Sequence, residues 1–116
     1  MIRREIVLPA SQEDVWVALT RSEELSAWFG ADVDIDPRPR GVVTALHRDG
    51  TTHRGTVVAA SAPYRLVVVW EPGTDEVRGS RLEFTLEPVA DGTLLTVIEA
   101  PLSPAGPERF LLEALR

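Results

Sequence analysis

Hydrophobic and polar positions divide the chain into a first strand, a helical region and a long run of strands. Residues 2–8 have strand character and end at Pro9, which has no N–H to donate to a strand ladder. A helix is predicted to follow, with Ser11 as its N-cap and two acidic residues in its first turn. Its apolar stripe consists of Val15, Trp16 and Leu19.

A second short helix is predicted to begin at Ser22 and to end at Gly30, a residue typical of helix C-caps. Its apolar face consists of Leu25, Trp28 and Phe29. Because the two helices are adjacent in the chain and both amphipathic, we expect them to pack as one helix-turn-helix unit.

From residue 31 the apolar pattern changes to a period of two, which is typical of strands. The Asp49-Gly50 dipeptide predicts a two-residue hairpin turn. Six strands are expected, at residues 32–36, 42–47, 52–60, 64–70, 81–87 and 93–100. The order predicts one α+β domain over residues 1–116, in which a curved antiparallel sheet of six to seven strands carries its helices on one side.

The last segment, residues 108–116, has the pattern of an amphipathic helix. A helix of this length is marginal in isolation, so it must pack on another surface. The apolar stripe consists of Phe110, Leu111, Ala114 and Leu115. Since this stripe is short, we expect a symmetric neighbour to complete it, which predicts a homodimer through the C-terminal helix.

Composition narrows the classes of function. The formal charge of −6 and the pI near 4.8 oppose binding to nucleic acid. The absence of cysteine excludes disulfides, thiolate zinc sites and cysteine nucleophiles. No apolar run approaches the length of a membrane span, and the N-terminus does not resemble a signal peptide, so we expect no membrane association and a cytoplasmic location.

Glu99 is the first candidate for chemistry. Leu95, Val97 and Glu99 are alternate residues of one predicted strand and therefore share a face. If Leu95 and Val97 face the interior, the carboxylate of Glu99 does too. Burial would raise the pKa of this carboxyl group, as general acids require. A position near the strand end would instead let the group reach water. We favour the solvated interpretation and keep the acid–base role as the alternative.

His53 is the second candidate. A two-residue turn would place it opposite Leu46, on the face of Val42 and Val57, and would place His47 on the outer face. The two histidines would then share no site, so we predict no metal centre.

Asp32, Asp34 and Asp36 lie on one strand face, and we interpret them as a solvated surface because alternate carboxylates are too far apart to bind one ion directly. The serines form no Gly-x-Ser-x-Gly elbow, and no glycine-rich phosphate loop occurs in the sequence. We therefore expect no cofactor.

The ordered set of motifs resembles the homologues of the activator of the heat-shock-protein 90 ATPase, within the START-like (SRPBCC) helix-grip superfamily. The matching positions include Pro9, Trp16, Trp28, Tyr64, Trp70 and residues 55–57 and 92–96. The resemblance implies a curved sheet that grips a C-terminal helix, with a cavity between them.

Two main hypotheses for function follow, and the leading one is a non-enzymatic module that holds an apolar small molecule or a protein partner on the concave face. Its predicted contact residues are Trp28, Trp70, Leu82, Phe84, Leu86, Val97, Glu99 and Phe110. The alternative is a cyclase, dehydratase or hydrolase that uses Glu99 as acid or base, with His53 or an inward arginine stabilising negative charge. The resemblance alone implies a third role, as a co-factor of a chaperone ATPase.

Overall fold

The computed structural model describes residues 1–72 and 79–102 of the chain. In these ranges the elements are β1 (Ile2–Leu8), α1 (Gln12–Thr20), α2 (Ser22–Phe29), β2 (Asp32–Ile35), β3 (Val42–Leu46), β4 (Thr52–Ser61), β5 (Arg65–Trp70), β6 (Ser80–Val89) and β7 (Gly92–Pro101). All predicted strands and the first two predicted helices are present, with bounds that differ by two residues at most. The α+β class is confirmed.

The strands form a single curled antiparallel sheet in the order β1-β7-β6-β5-β4-β3-β2. Consecutive strands from β2 to β7 are neighbours, and β1 pairs with the last strand. The predicted C-terminal helix, with Phe110, lies outside the described residues. Neither α1 nor α2 has the length and apolar character needed to cross a bilayer.

The helix ends follow the predicted chemistry. The Ser11 hydroxyl accepts a hydrogen bond from the backbone N–H of Asp14 at 3.1 Å, which confirms Ser11 as the N-cap of α1. Gly30 ends α2 in the left-handed conformation, with φ of 69°. These local signals fix where α1 begins and where α2 ends.

The core lies between the two helices and the concave face of the sheet. Val15 and Leu19 of α1 and Leu25 of α2 are buried against it. Their buried sheet partners include Val43, Val57, Leu66, Val68, Phe84 and Leu95. The predicted stripe of α1 is therefore confirmed as the face that closes this core, with Trp16 half-buried at its margin.

Serines of α2 close the β2 edge of the sheet. The backbone N–H of Val33 donates to Ser26 Oγ at 2.8 Å, and Ser26 Oγ donates to the Val33 carbonyl at 3.1 Å. The N–H of Ile35 donates to Ser22 Oγ at 3.1 Å. Since these groups are already bonded, this edge offers little to another strand.

A charge cluster stabilises the convex face. Arg65 Nε donates to Glu83 Oε2 at 2.6 Å, and Arg81 Nη1 donates to Glu83 Oε1 at 3.1 Å. The hydrogen bond from Arg65 is the main reason that the pKa of Glu83 lies below its usual value, and Arg81 adds to the effect. The cluster joins three neighbouring positions of β5 and β6.

We expect this cluster to make folding stability depend on pH. Because the folded-state pKa of Glu83 is lowered, its contribution is present above the unfolded pKa of about 4.3 and is lost as pH falls through the folded value. Both arginines are more than a third exposed, so solvent screening limits the contribution to about 1 kcal/mol or less. Urea unfolding of Glu83→Gln should therefore show a smaller loss of stability between pH 7 and pH 3 than the parent protein shows.

Glu87→Gln is the matched control, since Glu87 lies on the same strand and face but is exposed and forms none of these bonds in the described structure. It should keep the parental pH dependence attributable to Glu83. Identical pH profiles for Glu83→Gln and the parent would show that the cluster contributes nothing.

Candidate functional site

Burial decreases across the concave face from the centre of the sheet towards β1. Residues paired across antiparallel strands face the same side, and one such row consists of Leu66, Phe84, Val97 and Arg4. Leu66 and Phe84 are buried, Val97 is half-buried and Arg4 is exposed. The helices thus cover only the first part of the row.

The adjacent row shows the same change. Val68 is buried, Leu82 is half-buried, and Glu99 and Ile2 are exposed. One further position along β1, Ile6 is 52% exposed although it lies beside the fully buried Leu95. We call the area that α1 and α2 leave uncovered the open face. It consists of Ile2, Arg4, Ile6, Leu82, Val97 and Glu99.

Beneath the helices, residues that the structure describes line one small cavity. It has a volume of about 10 Å³ and is lined entirely by apolar side chains that include Leu19, Leu25, Val43, Leu66, Trp70 and Phe84. That volume is close to the room one water molecule needs, whereas small-molecule sites usually occupy roughly 300–1,000 Å³. A ligand of ordinary size does not fit inside this cavity unless α1 and α2 move.

Trp70 and Leu82 are the half-buried members of the cavity lining. These two side chains are the partly accessible residues of the lining, and Leu82 also belongs to the open face. The apolar surface is consequently continuous from the core to Val97.

Gly55 allows the indole of Trp70 to lie against the sheet. The two residues are paired across β4 and β5. A Cβ at position 55 would lie 2.9 Å from Trp70 Cε3 and 2.7 Å from the carbonyl oxygen of Val69, closer than such contacts occur. The aromatic ring thus occupies the space that any larger residue would fill, which is a contact that the sequence analysis missed.

His47 and His53 form a pair beside this tryptophan. His47 Nε2 lies 3.0 Å from His53 Nδ1, so one nitrogen must donate and the other accept. The His53 ring meets the Trp70 ring edge-on, with centroids 6.4 Å apart. Among the residues that the structure describes, no group of three or more potential metal ligands converges here or elsewhere.

The prediction that His47 lies on the outer face, apart from His53, is wrong. The hairpin closes through Leu46 paired with Thr52, which leaves the five-residue loop 47–51 in place of a two-residue turn. His53 is consequently opposite Ala45 and not Leu46. It lies on the side of Val57 as expected, but not on that of Val42, which pairs with Thr56 on the convex side. His47 is in the loop, where strand alternation no longer fixes its direction.

Glu99 has the predicted register but not a buried environment. It lies opposite Leu82 and Ile2 on the concave side, and its side chain is exposed. Within the described ranges it forms no hydrogen bond or ion pair with another side chain. An exposed carboxylate lacks the desolvation on which the acid–base hypothesis depends.

The remaining predicted contact residues divide into buried and exposed positions. Phe84 and Leu86 are buried, and Gln12 of α1 donates a hydrogen bond to the Leu86 carbonyl at 2.9 Å. Trp28 is 47% exposed on α2, contrary to its expected place in an apolar packing face. Of the predicted contact residues on the sheet, Trp70, Leu82 and Val97 are thus the partly accessible apolar ones.

The aspartates at the opposite end of the sheet form a separate surface. Asp32 and Asp34 are exposed, and Asp34 accepts a hydrogen bond from the Ser22 hydroxyl at 3.1 Å. Asp36 forms a two-bond ion pair with Arg38, which lowers the pKa of the carboxyl. These contacts are those of a solvated surface.

Comparisons with known proteins agree with this architecture. A family model described as Activator of Hsp90 ATPase homolog 1-like protein matches residues 9–111. No curated protein matches the chain.

Solved structures share the fold at low sequence identity. MLL2253 from Mesorhizobium loti is 19% identical with a TM-score of 0.80, over 98% of this chain and 85% of that one. CalU16 from Micromonospora echinospora is 27% identical with a TM-score of 0.65, over 97% of this chain and 63% of its own. DynU16, a protein of the dynemicin biosynthetic locus, is 23% identical with a TM-score of 0.75, over 97% of this chain and 41% of its own. The chain therefore spans less than two thirds of the last two proteins.

Proposed function

The chain belongs to the Activator of Hsp90 ATPase homolog 1-like family, and we propose that it is a binding protein that holds an apolar small molecule on the open face. One observation carries the proposal: Trp70, Leu82 and Val97 form a continuous apolar surface that α1 and α2 leave partly exposed. Exposed apolar surface that continues into a core is typical of a ligand or partner site.

The cavity volume and the charges on this face support a position for the ligand. Since the cavity under the helices holds about 10 Å³, the ligand rests on β6, β7 and β1, with at most one apolar end inserted between Trp70 and Leu82. Arg4 and Glu99 are the charged groups on this face, and both are exposed. An apolar body with a polar group at one end fits this distribution.

We expect Trp70→Ala to weaken binding by about tenfold or more, because loss of a large apolar contact removes roughly 1.5–3 kcal/mol and 1.4 kcal/mol corresponds to a factor of ten. Native mass spectrometry of the protein with a panel of fatty acids and aromatic polyketides measures this directly. The parent should retain at least one panel member that the variant loses.

Tyr64→Ala is the matched aromatic control, since Tyr64 is exposed immediately before β5 and lies outside the open face. It should bind like the parent. Equal retention of every panel member by Trp70→Ala and the parent, or retention of none by the parent, would contradict the proposal.

A further inference from the structure

The two edges of the sheet differ in how their backbone groups are satisfied. The β2 edge is closed by Ser22 and Ser26, as described above. At the opposite edge β1 is seven residues long, and the described helices pack elsewhere, α1 against β6 and β7 and α2 against β2. Proteins usually protect such an edge because it can pair with another strand.

The sequence of β1 complements itself in one antiparallel register. If two copies pair about a twofold axis through Arg4, Arg3 of one lies opposite Glu5 of the other, and Ile2 lies opposite Ile6. We infer that β1 joins two copies of this chain edge to edge in this register, so that their sheets become continuous.

Both faces of the strand support the pairing. On the concave side Ile2 and Ile6 are 51% and 52% exposed, and the register brings these apolar side chains together across the junction. On the convex side Arg3 and Glu5 already form an ion pair of 2.7 Å within one strand. In the dimer each Arg3 also lies opposite Glu5 of the second copy, so that opposite charges alternate along and across the two strands.

The one unfavourable contact lies on the axis, where Arg4 meets Arg4 of the second copy. Glu99 offsets this repulsion between arginines. In each copy it lies on the same face as Arg4, at the diagonal position on the neighbouring strand β7. A register centred on Glu5 would oppose two glutamates and set Arg4 against Ile6. A register centred between Arg4 and Glu5 would oppose the concave side of one copy to the convex side of the other.

Disulfide trapping tests both the interface and its register, since the chain contains no cysteine. Directly opposed residues have Cα atoms about 4.5–5.5 Å apart, within the roughly 4.4–6.8 Å range of disulfides. Arg4→Cys should therefore cross-link to a dimer on oxidation. Arg3→Cys is the control, because its counterpart would lie about 8 Å away, and it should cross-link far less.

Charge reversal gives an independent test by sedimentation velocity. Arg3→Glu should raise the dimer dissociation constant about tenfold or more, because both cross-strand pairs become repulsive, and the double variant Arg3→Glu/Glu5→Arg should restore dimerisation. Circular dichroism verifies that each variant is folded. The inference is overturned if the parent protein is still monomeric at a concentration about 100 times a typical micromolar Kd. Equal cross-linking of Arg3→Cys, or a dimer insensitive to the reversal, also overturns it and places the interface elsewhere, including residues 103–116.

Discussion

Replacement of Leu19 by alanine is expected to lower the free energy of unfolding by about 2–5 kcal/mol, a large fraction of the stability of a small domain. Leu19 is 0% exposed and lines the cavity between α1 and the sheet. Alanine is at least as good a helix former as leucine, so the loss would report removed packing and not helix propensity. Urea denaturation followed by circular dichroism gives the change.

Leu46→Ala is the matched control for this substitution. The side chain of Leu46 is 47% exposed at the end of β3, so the same chemical change should cost less than about 1 kcal/mol. If the two variants lost equal stability, the core would not lie where α1 meets the concave face.

Gly55→Ala is expected to destabilise the protein by about 1–3 kcal/mol, the usual range for overpacking a dense interior. The new methyl group would meet Trp70 Cε3 and the Val69 carbonyl oxygen, so the indole must move from its place in the cavity lining. The tryptophan emission spectrum should shift, and the apolar ligand should bind more weakly. Both effects follow from one displaced ring.

Thr56→Ala provides the comparison for Gly55→Ala, because Thr56 is the next residue and faces the convex side, opposite Val42 and Val69. It should leave the emission spectrum and ligand binding unchanged. If a folded Gly55→Ala protein had an unshifted emission spectrum, the position of the Trp70 ring would not depend on the absence of a side chain at residue 55.

Local sequence signals predicted most of the fold because they describe neighbouring residues. The cap at Ser11, the glycine that ends α2 and the alternation of Leu82, Phe84 and Leu86 act within a few positions of the chain. The structure has these elements where the patterns indicate. The α+β class follows from their order.

Features that depend on distant contacts could not be derived in this way. Nothing in residues 2–8 specifies that β1 pairs with β7, so the open face was predicted without Ile2, Arg4 and Ile6. Likewise, strand alternation predicts Leu86 as a contact residue on the concave face, but only the position of α1 shows that this residue is covered. Strand order and helix placement are set by the packing of the whole core.

The histidine pair shows how one local error changes a site. Asp49-Gly50 favours a two-residue turn, but His47 accepts a backbone hydrogen bond from Gly50 and donates one to Thr51, which forms a longer loop. That difference brings His47 to within 3.0 Å of His53. Loop length is therefore the physical variable that sequence alternation alone did not determine.

The binding account depends most on Trp70, and its fluorescence gives the most direct test. The double variant Trp16→Phe/Trp28→Phe leaves Trp70 as the only tryptophan, because the chain contains three. Titration of this variant with the same fatty acids and polyketides should produce a saturable change in emission for at least one compound, which Leu82→Ala weakens. A folded variant whose emission does not respond to any of them would contradict the claim that this surface holds an apolar ligand.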